Sequence, residues 1–406
     1  MKLELARLKP NNRSLSWAIL VAVLVYLPLR GLFMTYSVHA GATERVSFLF
    51  QIIPELLLLV GLAASLLLKK IPRSRSWLIT LSLALFGWGM ITAFYHPNDL
   101  GQGWVGIRHD YIGLFALLLI WLDPPGKEAS GRLIRLIEGG LWFLVGVAIV
   151  EFFWGPSLMQ ALGYEGHAIG KIAQVHSFTP APIQLGSLLL VLAALVLRER
   201  RRYELVLLGL VGVMLGLTYG RSAWIGATVM GGGLFFYNLW KRRLDWRPII
   251  LGVGLVAGLL LGVARYQGNF ADVLWHGQST EQHEAASSQA LKGYTTGELI
   301  FGGGIGTAGP ASFRTDNPKI AESWYLQLIQ EIGIVGLAIY LALFGLTLAL
   351  LWRSGEQVLT WLGIGLLANA AFLHIWADNA YLNIIWWMVV GLVSLSPATA
   401  KKPVSS

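Results

Sequence analysis

Along this chain apolar residues gather in runs of about 20, separated by polar intervals that hold most of the charges. A helix of that length covers the roughly 30 Å of hydrocarbon in a bilayer. Twelve runs are expected as membrane-spanning helices. The first six are Leu15 to Met34, Val46 to Leu68, Trp77 to Tyr95, Trp104 to Leu122, Glu138 to Trp154 and Ala181 to Leu197. The next six are Tyr203 to Thr218, Ala223 to Trp240, Pro248 to Ala264, Gly333 to Trp352, Val358 to Trp376 and Ala380 to Ser396. The pattern predicts an all-α polytopic membrane protein with about 12 transmembrane helices.

Three regions follow: spans 1 to 9 with short loops over 1–264, a long loop and an amphipathic helix over 265–332, and spans 10 to 12 with a tail over 333–406. The connection from Arg265 to Glu322 holds 58 residues, and connections this long are usually functional. Smaller segments between spans run from Gly155 to Pro180 and from His96 to Trp104.

Composition agrees, since 55% hydrophobic and 13% charged residues do not describe a water-soluble chain. The chain has no cysteine, which excludes disulfides, thiolate metal sites and thiol nucleophiles. Its net charge of +9, from 31 Lys and Arg against 22 Asp and Glu, would suggest nucleic acid in a soluble protein. Here the basic residues separate by loop. With the N-terminus inside, 22 of them fall in cytoplasmic segments, as Lys and Arg of short loops prefer. The separation supports an even number of spans with both termini cytoplasmic, and no nucleic-acid partner is expected. Val38-His39-Ala40 resembles the end of a signal peptide, but Arg30 before it argues against cleavage, so the first run is expected to be retained.

Nine basic residues violate the inside preference: Arg30, Arg45, Arg108, Lys171, Arg221, Arg265, Lys292, Arg314 and Lys319. Arg221, Arg265 and Arg108 fall at membrane depth or at its surface, where a guanidinium is costly and marks a site by default. Each alone could snorkel or pair with an acid. Three on one side favour an anionic ligand, because guanidinium binds phosphate oxygens bidentately and does not deprotonate. Fixed Arg can stabilise a pyrophosphate leaving group without a metal, and no acidic cluster of DxD type lies outside; neither metal nor cofactor is expected. A general base would come from Glu322, His283, His109, Asp316 or Asp378. His283 lies in a polar stretch that also reads as a solvated loop helix. Glu322 and Ser323 also suit a helix N-terminus. Gly302 to Gly304 could cradle phosphate with backbone amides or simply pack closely. Trp324, Leu328, Ile329 and Ile332 recur at helical spacing, as in a helix on the membrane surface or against the bundle. Trp376, Trp386 and Trp387 suit an interfacial belt or buried packing.

The segment from Gly297 to Leu337 carries a resemblance. Gly302 to Gly306 form a glycine loop, and Glu331, Gly333, Gly336 and Leu337 form a Glu-x-Gly-x-x-Gly-Leu lead into the next span. Tyr219-Gly220-Arg221-Ser222-Ala223-Trp224 looks like a Ser-Arg-Gly-x-Trp type element. Together these resemble the O-antigen ligase and O-antigen polymerase superfamily, with specific residues matching between Tyr219 and Leu337. The resemblance implies a GT-C-like membrane glycosyltransferase of the bacterial inner membrane. Its donor would be a glycan on undecaprenyl pyrophosphate, and its acceptor lipid A-core for a ligase or a lipid-linked glycan for a polymerase. By carry-over Arg221 binds the pyrophosphate, and Arg265 matches a second functional arginine in placement. Many members have a His-Asn pair where this chain has Glu322-Ser323, so a catalytic histidine does not carry over and Glu322 is the expected base. Arg108, Arg314, Lys319, His283, Gly304 and Gly306 are the expected substrate contacts. A transporter or flippase of lipid-linked oligosaccharide is the alternative; it predicts an inverted repeat and mid-span ionisable residues in both halves.

Overall fold

The computed structural model describes residues 15–68, 76–95, 100–164, 167–169, 171–199, 203–268, 271, 286–314, 320 and 322–394. Each of the twelve apolar runs overlaps a helix of its own. The first ten helices are α1 (Leu15–His39), α2 (Glu44–Leu68), α3 (Ser76–Tyr95), α4 (Leu100–Leu122), α5 (Lys127–Trp154), the short α6 (Pro156–Ala161), α7 (Pro182–Arg198), α8 (Glu204–Leu217), α9 (Arg221–Trp240) and α10 (Arg247–Tyr266). They are followed by the short α11 (Thr296–Phe301), then α12 (Trp324–Arg353), α13 (Gln357–Ala370), the short α14 (Ile375–Asp378) and α15 (Ala380–Ser394). A two-stranded hairpin pairs β1 (Ala168–Ile169) with β2 (Ile172–Ala173). Among the described residues, six helices are long and apolar enough to cross a membrane by length and composition: α1, α2, α4, α5, α10 and α12. The chain is thus an all-α protein of membrane character.

Three boundaries depart from the hydropathy reading. α5 begins at Lys127 rather than Glu138, because Arg132 and Arg135 lower the local hydropathy while Ala129, Leu133, Ile134 and Ile137 keep a buried face at helical spacing. α12 begins at Trp324 rather than Gly333 and carries a break at Gly333. α13 stops at Ala370, so His374 lies in the turn that follows it and not in the helix expected to reach Trp376.

α4 is central, with 94% of its apolar window buried. It packs so tightly on α15 that a Cβ at Gly113 would collide with Asn383. Phe344 of α12 stacks on Trp386 at 5.5 Å between ring centroids and meets Trp376 and Trp387 edge-on or tilted. These tryptophans are buried packing, not an interfacial belt. α8 and α10 run parallel along a glycine seam. Gly212 approaches Leu251 and Gly254, and Gly216 approaches Leu255 and Gly258, so backbone meets backbone. Between apolar helices in lipid, such close approach supplies the packing attraction that hydrophobic burial cannot.

The seam gives a contrast to measure. A Cβ on Gly258 would collide with the Val213 carbonyl, whereas one on Gly252 meets nothing within 4 Å. Gly258→Leu should lower the free energy of unfolding by about 1–3 kcal/mol. Gly252→Ala should raise it by about 0.5–1 kcal/mol. Unfolding of the purified protein in detergent reads both, and equal effects would contradict the seam.

Candidate functional site

The glycine loop and the broken helix form one unit. At Gly333 the φ of 69° is left-handed, and the break strips the first part of α12 of amides for its last carbonyls. The loop after α11 supplies them. Gly303 N–H donates to Gln330 O at 2.7 Å, and Gly304 N–H donates to Glu331 O at 3.0 Å. A Cβ on Gly302, at φ 96°, would collide with the Glu331 carbonyl, and one on Gly333 with that of Ile300. The Gly306 carbonyl accepts from Gln102 Nε2 at 2.7 Å, and its backbone lies against Gly106 of α4. The Gly304 and Gly306 groups expected to meet substrate are therefore spent on helix and loop.

Glu331 fixes the same loop from inside the bundle. Its Oε1 accepts from the Ala308 amide at 3.2 Å, and its carboxyl lies close to that of Asp110. Gln327, one turn before Glu331, donates from Nε2 to Asp110 Oδ1 at 3.2 Å. The whole start of α12 is thus turned inward, with Trp324, Gln327, Gln330 and Glu331 buried. The amphipathic segment packs within the bundle and does not lie on a membrane surface.

The segment 374–379 gathers further polar groups. His374 Nε2 lies 2.8 Å from Asp378 Oδ2. Burial opposes charge on this ring, but the carboxylates of Asp378, Glu322 and Asp110 outweigh it and push the His374 pKa up. Glu322 precedes α12 with a left-handed φ of 54°, and Ser323 holds the N-cap position without a side-chain cap bond. His109 donates from Nδ1 to Ala377 O at 2.6 Å, since a carbonyl can only accept. Its Nε2 therefore accepts from Arg108 Nη2 at 3.2 Å. Asn383 Nδ2 ties the carbonyls of His109, Asp110 and Trp376 together.

Arg221 opens α9 just after Tyr219, whose φ of 53° makes the turn. α9 and α13 run antiparallel: Gly226 approaches Asn369, Met230 approaches Gly365 and Gly233 approaches Trp361. The end of α9 that carries Arg221 therefore lies beside the end of α13 that leads to His374. The parallel pairing of α8 and α10 brings Tyr219 onto Gly262, one turn before Arg265. The fold thus carries Arg221 and Arg265 to the same end of the molecule. Arg265 is exposed, donates to Phe153 O at 2.9 Å and lies over the Phe152 ring at 5.1 Å. Arg108 is elsewhere. It is buried among Glu55 at 3.9 Å, Gln51 at 3.2 Å and the Phe48 ring, with Arg30 also paired to Glu55. This arginine, expected to meet substrate, shares Glu55 with Arg30 between helices. His283, Asp316 and Lys319 lie outside the described residues, and of Arg314 only the backbone is described, at the end of a 3-10 turn over Gly309–Arg314.

The segment 162–181 frames the other flank. Val175 N–H donates to Leu217 O at 3.2 Å, and Gln174 Nε2 donates to Thr218 O at 3.1 Å, so the segment rests on the turn that positions Arg221. Glu151 anchors it, accepting from the amides of His176 at 3.1 Å and Ser177 at 2.7 Å through Oε2. His176 Nδ1 donates to the Ser177 and Thr179 carbonyls, which leaves Nε2 facing Glu151 Oε1 at 3.3 Å.

No protein-family model matches the chain, and no curated protein is recognisably similar to it in sequence.

Burial, with His167 nearby, pushes the His176 pKa down to about 4. The folded protein then binds fewer protons here than the unfolded chain, whose imidazole titrates near about 6.5. The stabilisation is complete above that pH and is lost as pH falls toward 4. Thermal midpoints of the wild type should drop over this window by more than those of His176→Gln. Parallel profiles would show that His176 is not held neutral.

Proposed function

We propose that this chain is a metal-independent, inverting glycosyltransferase of O-antigen ligase or polymerase type. In this reading twelve spans cross the bacterial inner membrane, both termini are cytoplasmic, and the site faces the periplasm. The observation that carries the reading is the meeting of three elements. The turn bearing Arg221 lies beside the end of α13, and Glu322 and Asp378 act together on the intervening His374.

The donor is a glycan on undecaprenyl pyrophosphate. Glu322 takes the proton from an acceptor hydroxyl, whose oxygen attacks the anomeric carbon. The bond from that carbon to the pyrophosphate oxygen breaks, and the electron pair leaves with undecaprenyl pyrophosphate. Arg221 stabilises the charge that develops on the leaving group, with Arg265 at the same end of the fold. His374, pushed toward its charged form by the surrounding carboxylates, adjoins Glu322. Lipid A-core as acceptor would make the chain a ligase, and a second lipid-linked glycan a polymerase.

One feature favours a second reading, transport or flipping of lipid-linked oligosaccharide: transporters use broken helices, and α12 is broken at Gly333. In transporters the freed carbonyls coordinate cargo ions. Here the glycine-loop amides occupy those of Gln330 and Glu331, which supports the transferase.

In proteoliposomes given undecaprenyl-pyrophosphate-linked glycan and each acceptor separately, Arg221→Ala should cut transfer by about 10²- to 10³-fold. Glu322→Gln should cut it by about 10²- to 10⁴-fold. Insertion and folding of both variants are checked by detergent gel filtration. Transfer at the wild-type rate by a folded Arg221→Ala protein removes the pyrophosphate site, and by Glu322→Gln removes the base.

A further inference from the structure

A cavity of about 500 Å³ opens between the tips of α1 and α2 and the segment 162–181. Such a volume suits a small polar ligand. Thr35, His39, Ser47, Tyr164 and His167 give it hydroxyls and imidazoles, groups that both donate and accept hydrogen bonds. Met34, Val38 and Pro180 complete it with aliphatic surface. Among the described residues that line it, none is Asp, Glu, Lys or Arg, so those walls offer uncharged hydroxyl and apolar surface beside the imidazoles. A sugar ring needs the combination present: many neutral donors and acceptors around its edge and C–H contact on its faces.

The walls are built, not incidental. Gly31 of α1 lets the Phe178 backbone approach so closely that a Cβ there would collide with its carbonyl. The Tyr164 hydroxyl lies close to Thr35 in the cavity wall. Gly163, at φ 86°, lies against the His39 ring. His167 Nε2 donates to Pro180 O at 3.2 Å. Behind this wall stand His176 and Glu151, the clamp that holds the segment in place.

The cavity also adjoins the proposed reaction site. Pro180 is three residues before Ile183, a reach of at most about 10 Å. The Ile183 Cα lies 3.6 Å from where a Cβ on Gly220 would be, directly before Arg221. We infer that this cavity binds a neutral sugar of the acceptor glycan and presents the chain toward Arg221 and Glu322. The inference rests on the glycan-transfer reading for the word acceptor, but sugar binding itself can be measured without transfer.

Saturation-transfer NMR on the full-length protein in nanodiscs, with neutral glucosyl and galactosyl disaccharides as probes, tests it. Inorganic pyrophosphate is titrated separately to report on the arginine site. At least one disaccharide should give signal on the wild type. His39→Ala/His167→Ala should weaken its binding at least tenfold with pyrophosphate binding unchanged. His39→Ala alone, which leaves the His167 bond to Pro180 intact, should weaken it several-fold and so separates ligand contact from loop disruption. No disaccharide signal on the wild type, undiminished binding by the double variant, or saturation transfer only to phosphate-bearing lipid headgroups would each overturn the inference. Sugar binding without transfer from the lipid-linked donor would instead sink the transferase reading and leave the cavity a carbohydrate site.

Discussion

The need to satisfy backbone groups at a broken, buried helix organises this protein. In an apolar surrounding an unpaired carbonyl costs several kcal/mol, so the break at Gly333 is tolerable only with donors brought from elsewhere. The Gly303 and Gly304 amides bring them, and that requirement sets much of the rest. The loop must lie against α12, so α11 must end where it does, at Phe301 with Gly302 as its C-cap. Glu331 must turn inward to hold Ala308, and Asp110 and Gln327 must meet it. Asp110 places α4 at the centre, and through His109 and Asn383 it fixes the segment that presents His374 and Asp378. A single backbone constraint thus runs through loop, central helix and site.

Helices were readable from sequence because hydropathy over 20 residues is a strong, local signal. Where charge interrupted it, as at Arg132 and Arg135, only the spacing of Leu133, Ile134 and Ile137 could have extended α5. The site was readable in part. Arg221 and Glu322 stood out as charges in unusual places; Glu322 acts on His374, and the helix that Arg221 opens packs beside the helix that leads to it. Arg108 stood out on the same ground and proved to be paired with Glu55, because a charge's partner on another helix is invisible in one sequence. The Asp110–Glu331 pair was missed for the same reason, although Gln327 and Glu331 four residues apart in an apolar stretch were a usable signal. The glycine loop was seen, but its partner was not: a Gly-rich run reads as a cradle until the helix carbonyls that occupy its amides are found.

The segment 162–181 shows how a connection can be given the rigidity of a helix. Glu151 takes two successive amides, His176 spends one ring nitrogen on the segment's own carbonyls, and Ser177 reaches Leu144. The segment therefore holds its shape from inside and touches both the cavity and the turn before Arg221. Its neutral imidazole makes that shape sensitive to acid, a dependence that apolar packing alone would lack.

The glycine seam of α8 and α10 has a further consequence. Arg221 lies just past the end of α8 and Arg265 in the last turn of α10, so the spacing of the backbones that carry them depends on how closely the bare seam packs. A methyl group added along the seam would therefore be felt at that end of the molecule, several turns away.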